Sequence, residues 1–242
     1  MSVACRLWRS LEAHPWLWSG ALVAPLILFP AIDIGVSSLF FDPALKAFPA
    51  RTQAFYEWVR REMPQYLFGG VIALLLTWAA GEVLRRPLLG VTRRLAAYVM
   101  LSLALGPGLV VNVILKDNWG RPRPSTIAEF GGPDTYVRPL VPSNQCDDNC
   151  SFSSGHGALG FWPVALALLA PPAWRPLAVG AAMAFGAVVG FVRIAQGGHF
   201  LSDVVFSALI TIGISLWLYR RLILAPAALP QKNNPPIPGE RA

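Results

Sequence analysis

Charge is what this chain has least of. Only 14% of its 242 residues are Asp, Glu, Lys or Arg, against about 25% in soluble domains. With 55% hydrophobic residues and a mean hydropathy of +0.50, an ordinary soluble domain is excluded and an integral membrane protein is expected. Carboxylates are scarcer than cations, 13 against 20, and too few stand near the conspicuous polar clusters to build a two-metal centre. Cysteine is limited to three residues, so no second pair completes a zinc site. No internal repeat is present. No module that interleaves basic and aromatic residues is present either, so the net charge of +7 does not point to nucleic acid. Basic cytoplasmic loops account for it.

Long apolar runs are there instead. A spanning helix needs about 20 mostly apolar residues. Candidates are Trp16–Ile34, Tyr66–Leu84, Leu95–Leu115, Gly157–Trp174, Leu177–Ile194 and Leu201–Leu222. The expected fold is therefore all-α, a six-transmembrane-helix bundle over residues 1–225. A Pro- and Asn-rich tail, 226–242, is expected to be disordered and cytoplasmic. Only "PPAWRP" divides the fourth run from the fifth, and its prolines mark a tight turn. Residues 35–64 mix aromatics with charges, too polar to span, and are expected to lie along the interface. Arg6 and Arg9 precede the first run, but the run is long and no small-x-small site closes it, so an uncleaved anchor is expected. "RRPLLGVTRR", Arg85 to Arg94, is the strongest inside signal. It puts both termini in the cytoplasm and the other polar clusters on the outer face.

Cys5 falls on the cytoplasmic side in this topology. Cys146 and Cys150, in "CDDNC", fall on the outer side, where a disulfide is permitted. Two free thiols and half of a metal site remain open alternatives. On the same face the predicted spans begin and end with ionisable groups. Lys116 ends the third and Arg123 follows it; Ser154, Gly155 and His156 open the fourth. Arg193 ends the fifth, and His199 and Asp203 open the sixth. Ionisable groups at membrane depth mark function by default. Singly, each arginine could snorkel and each histidine could be interfacial; together they are a set. Three cations suit a dianionic phosphate. Gly155 allows close backbone approach, and the amides opening a helix favour an anion. His199 and Asp203 lie four apart, on one helical face, so the carboxylate can take one imidazole N–H and leave the other nitrogen to attack. His156 suits proton donation to a leaving oxygen. The chemistry this describes is phosphoryl transfer through a phosphohistidine.

The pattern Lys-x6-Arg-Pro, Ser-Gly-His and Arg-x5-His-x3-Asp resembles the signature of the type 2 phosphatidic acid phosphatase superfamily. Here it reads Lys116 to Arg123-Pro124, Ser154-Gly155-His156, and Arg193 to His199 to Asp203. The resemblance implies a lipid phosphatase with no metal and no cofactor. It makes His199 the nucleophile, Asp203 its orienting partner and His156 the general acid. Lys116, Arg123, Ser154, Gly155 and Arg193 become the phosphate binders. Ser153 and Val192 depart from residues common in that family, Pro and Ser, which bears on pocket shape. Arg121 also precedes a proline, and the sequence leaves it between a headgroup contact and a solvated charge. The stretches "CDDNCSFSSGH" and "FPAIDIGVSSLFFDP" are similar to a bacterial subgroup that includes lipid A phosphatases. The expected substrate is a lipid A phosphate monoester at the periplasmic face of the inner membrane. Undecaprenyl diphosphate or phosphatidylglycerol phosphate is the alternative, and a non-catalytic lipid-binding bundle the remote one. Vanadium haloperoxidases share the family's phosphate cradle, but their soluble build sets them apart.

Overall fold

The structure, a computed structural model, describes residues 14–225; Cys5 and the tail 226–242 lie outside the described residues. Among the described residues the chain is helical, with two isolated bridges, Asp42 to Ala47 and Ile127 to Asp134, and no strand. Helix α1 is Pro15–Leu28 and α2 is Ala31–Ser38. Helix α3 is Ala54–Val83. Helix α4, Arg93–Leu103, runs on through π-type turns over Ala104–Lys116. Two short helices follow a long loop: α5, Gly155–Phe161, and α6, Pro163–Ala167. Helix α7 is Arg175–Ala195, and α8, Leu201–Leu218, runs on to Leu224.

Four of these helices are long and apolar enough to cross a membrane: Ala54–Val83, Arg93–Lys116, Arg175–Ala195 and Leu201–Leu224. A fifth is added if α1 and α2, bent by 82° to one another, are counted as one. Pro30 stands at that bend, where it cannot continue the backbone ladder of α1. The run expected as a fourth span is divided at Trp162 into α5 and α6, each too short to count as a span by itself, although Trp162 keeps helical backbone angles.

The expectation that residues up to 64 lie along the interface is corrected for 54–64. They are the first turns of α3. Their charges are paired along the helix: Glu57 accepts from Arg60 at 2.8 and 2.7 Å and from Arg61 at 3.0 Å. Such pairs three and four residues apart satisfy one another on one helix face, so polarity there does not end the helix.

The short helices pack at the centre of the bundle. Trp162 is buried and donates its indole N–H to Ser102 of α4 at 3.0 Å; Tyr98 donates its hydroxyl to the Ala165 carbonyl at 2.9 Å. Close approach depends on glycines. A Cβ on Gly186 would overlap the Phe161 ring, and one on Gly190 would overlap Val204. Small residues spaced by four are the usual means of close helix contact in membranes. At the other end of the chain's polar loops, Phe48, Ile127, Phe130 and Phe200 form a buried cluster. It fastens the 39–53 and 117–154 loops over the end of the bundle where α4 and α7 finish and α5 and α8 begin.

Candidate active site

Each predicted site residue lies at that same end. Lys116 closes α4 and Arg193 lies in the last turn of α7. Ser154 is the N-cap of α5, accepting from the Gly157 amide at 3.1 Å, which leaves its own hydroxyl proton to give elsewhere. Asp203 lies in the first turn of α8. His199 stands in the loop between α7 and α8, fully buried.

The imidazole of His199 is held by a group that sequence reasoning missed. Its Nδ1 lies 2.8 Å from the Ser151 carbonyl, whereas Asp203 Oδ2 is 3.9 Å away. A carbonyl only accepts, so Nδ1 carries the proton and Nε2 keeps its lone pair. Nε2 is buried and has no hydrogen-bond partner among the described residues. Burial first, then the charges of Arg193, Arg123, Lys116 and His156, hold the His199 pKa well below the ordinary imidazole value. The ring is therefore neutral, as a nucleophile must be, and the cations of the motif set are near enough to act on it.

Asp203 serves the ring indirectly. Its Oδ2 accepts from the Ser151 hydroxyl at 2.6 Å and from the Phe200 amide at 2.8 Å, and its Oδ1 accepts from Arg121. Ser151 in turn carries the carbonyl that takes the His199 proton. The expected direct carboxylate–imidazole bond is thus replaced by a relay through one serine.

Both expectations for Arg121 are corrected. It is 0% exposed, and neither water nor a headgroup reaches it. Its guanidinium donates to Asp33 at 2.8 Å, to Ser202 at 2.8 Å, to the Val137 carbonyl at 2.9 Å and to Asp203. The Phe200 ring centroid lies 4.4 Å from its Cζ. Asp33, from α2, also accepts the Ser202 amide at 2.9 Å and the Tyr136 hydroxyl at 3.3 Å. A charge buried in this way is stable only when every donor is paired, and here two carboxylates and three further oxygens, of Ser202, Val137 and Tyr136, do so.

The second histidine is oriented from α3. His156 Nε2 lies 3.0 Å from the Arg60 carbonyl, so Nε2 donates there and Nδ1 faces away from that bond. Arg193 donates to Gln196, whose amide reaches Glu57 at 3.1 Å, tying α7 to α3. Gly198 lies beneath the Arg193 guanidinium, where a Cβ would overlap it. Gly197, at φ +60°, seats the Phe48 ring. The pair "GG" before His199 is thereby required twice, once for space and once for a left-handed backbone.

Arg123 donates to the Asn149 carbonyl through Nε, at 3.1 Å, and through a terminal nitrogen. Asn149 lies inside the short loop closed by Cys146 and Cys150, which are joined as a disulfide. Gly155 carries a further constraint: the space a Cβ would take is occupied by Asn112, whose amide donates to the Pro107 carbonyl at 2.7 Å. Arg193 Nε and Ser153 Oγ join His199 Nε2 as buried polar atoms without a partner among the described residues. An unpaired buried polar group costs about 1–3 kcal/mol, and an oxyanion would satisfy the two that can donate, Arg193 Nε and Ser153 Oγ. A cavity of about 300 Å³ opens beside them, lined by Arg123, Arg193, Gln196 and Gly198, and by Arg51, Glu57 and Arg60. Among the described residues no group of three or more His, Cys, Asp or Glu is placed to hold a metal ion.

The PAP2 superfamily matches residues 95–223 of the chain. The chain is 36% identical to a lipid A 4′-phosphatase of Francisella tularensis subsp. novicida (strain U112) over 201 residues, covering 81% of this chain and 88% of that protein. It is 32% identical over 235 residues to a lipid A 4′-phosphatase of Rhizobium leguminosarum, covering 90% of this chain and 97% of the relative. A lipid A 4′-phosphatase of Rhizobium etli gives 32% identity over 235 residues. No solved structure matches the chain.

Proposed function

The chain belongs to the PAP2 superfamily, and on that premise we propose that it is a membrane phosphatase removing the 4′-phosphate of lipid A. The observation that carries the reading is the state of His199: a neutral ring with Nδ1–H fixed on the Ser151 carbonyl and Nε2 unpartnered. The cations of the first and third motifs, Lys116, Arg123 and Arg193, act on that ring. The names and coverage of the relatives support the substrate.

The chemistry runs in two steps. His199 Nε2 attacks phosphorus and the bond to the sugar oxygen breaks. His156, entering as the imidazolium with its Nε2–H kept on the Arg60 carbonyl, gives its Nδ1 proton to that oxygen as it leaves, so no free alkoxide forms. Water then attacks the phosphohistidine, giving its proton to His156, and the N–P bond breaks to release inorganic phosphate. Lys116, Arg123 and Arg193 hold the charge that gathers on the equatorial oxygens in both steps. Ser154 contributes its hydroxyl and Gly155 its backbone at the start of α5.

The same reading includes a six-span bundle with its site on the periplasmic face of the inner membrane. Helix α7 rises about 30 Å over its length and ends at the site, so Arg175 lies at the far end. The segment from Gly155 to Arg175 must cover that distance, which supports counting α5 and α6 as a crossing. Arg85 to Arg94 lie at the far end too, where Glu82 pairs with Arg93. That basic cluster favours the cytoplasm.

The test is product analysis. Purified protein given bisphosphorylated lipid A should yield the 1-monophosphate and inorganic phosphate, with acid-labile phosphate trapped on His199. Retention of the 4′-phosphate, with turnover of undecaprenyl diphosphate or phosphatidylglycerol phosphate instead, would transfer the reading to those lipids.

A further inference from the structure

The cavity bordered by Arg123, Arg193 and Gly198 holds more positive charge than one phosphate uses. Of the arginines that line it, Arg123 and Arg193 belong to the motif set. Arg60 is held by Glu57 in a two-pronged pair. Arg51 is left over. It is exposed, and it donates one terminal nitrogen to the Ser125 hydroxyl at 3.1 Å. No carboxylate among the described residues pairs with it.

Arg51 is nevertheless not a loose surface charge. It ends the short turn Pro49–Arg51, which follows the buried Phe48. Phe48 packs on Phe41, Phe130 and the backbone at Gly197. Its partner Ser125 is fixed to the same place, since the Ser125 amide donates to the Gly197 carbonyl at 3.1 Å. Arg51 is thus anchored through both its backbone and its side chain to the loop that carries His199. It stands near enough to Arg123 for its charge, after burial, to hold the Arg123 pKa down. Natural proteins do not place an unpaired arginine against another arginine in a shared cavity without cost. An anion between them removes that cost, and arginine's planar fork suits a phosphate or a carboxylate.

We propose that Arg51 forms a second anion subsite, beside the phosphate cradle, that takes a further phosphate or carboxylate of the substrate close to the phosphate under attack. The substrate class is then a lipid with two neighbouring acidic groups at the headgroup. In lipid A that neighbour is an acidic sugar attached next to the 4′-phosphate; in a prenyl diphosphate it is the adjoining phosphorus. The inference rests on attack at His199, but not on which lipid supplies the phosphate.

Direct binding separates the two dependences, because it needs no turnover. Calorimetry on detergent-solubilised protein should show pyrophosphate bound more tightly than phosphate. Arg51→Gln should weaken pyrophosphate by about ten-fold or more, the size of one charge-assisted contact, and phosphate by less than about three-fold. Arg51→Lys should recover part of the difference, and matching melting curves will show that the variants are folded. Equal weakening of both anions would make Arg51 part of the first cradle and overturn the subsite, as would no weakening of either. Turnover then identifies the source: a loss in Arg51→Gln confined to lipid A bearing the acidic sugar assigns the subsite to that sugar, and a loss confined to prenyl diphosphate assigns it to the diphosphate. An Arg51→Gln enzyme that loses neither substrate selectively would overturn a role in substrate choice. If the wild type releases nothing from lipid A yet keeps an Arg51-dependent preference for pyrophosphate, the substrate reading fails and the subsite stands.

Discussion

Arg121 and Arg51 both serve the loop that carries His199, yet they are built into opposite surroundings. Arg121 is sealed between Asp33 and Asp203 with aromatic rings against it. Arg51 reaches into an open cavity with a serine for a partner. The charges around Arg121 are matched and buried; those lining the cavity are matched only at Arg60, by Glu57. The difference teaches what each side is for. Matched buried charge specifies geometry, because any displacement leaves a group unpaired. Unmatched cavity charge is a binding surface whose counter-charge arrives with the ligand.

The comparison breaks most completely at the ring between the two sides. His199→Ala removes the proposed nucleophile without touching either arginine. Turnover should fall by on the order of 10⁵-fold for every substrate, as losses of covalent nucleophiles do, while anion binding survives. Substantial residual turnover would end the phosphohistidine assignment. In the wild type, the lowered His199 pKa keeps Nε2 unprotonated as pH falls through the ordinary imidazole range. The acid limb of kcat/KM should therefore lie below about pH 6.5, the unperturbed value.

Next in size is the matched side. Arg121→Leu leaves two carboxylates buried against an apolar group and should cost about 3–5 kcal/mol of stability. Arg60→Gln, at the open side, removes a half-exposed pair and should cost about 1 kcal/mol or less. Chemical denaturation in detergent measures both. Equal costs would erase the distinction between the two sides.

A smaller and more selective effect is expected at His156. General acid help is worth roughly 10²–10⁴ in rate when the leaving oxygen is basic. His156→Ala should lose that factor on a lipid and much less on an aryl phosphate, whose oxygen leaves unaided. Equal losses on the two substrates would remove His156 from the acid role.

The smallest effect belongs to the disulfide. Its loop is short, so Cys146→Ser with Cys150→Ser should change stability little, through the small closure entropy. Because the loop carries Asn149, whose carbonyl holds Arg123, KM should rise by about two- to five-fold with kcat nearly unchanged. Unaltered KM would separate the bridge from the cradle.

Much of this was open to reading in the sequence. The apolar runs over 93–116, 175–195 and 201–224 have the length and purity of spans, and the motif residues stand at their ends because polar groups are tolerated there. The Gly186 and Gly190 contact follows from spacing along one helix. The other half of the site was closed to such reading. Asp33 and Arg121 are 88 residues apart, and neither has a local pattern that names its partner. Asp33 carries only the general signal that a charge beside an apolar run needs water or a partner. Ser151 and the Arg60 carbonyl carried no signal, since one is an ordinary serine and the other is backbone. Residues 54–64 misled because their charges, read singly, oppose a helix that their pairing stabilises.

The sequence by itself determined that the chain is helical and membrane-bound, and which side chains make up the candidate site. Burial of apolar residues is close to additive along a chain, and span ends are fixed by where it stops. Only the tertiary structure decided how those side chains are held: His199 by Ser151, Asp203 by Arg121, His156 by α3, and the first apolar run bent at Pro30. The physical reason is that hydrogen bonds and ion pairs are directional and short in range, so a partner is set by which segments meet in space.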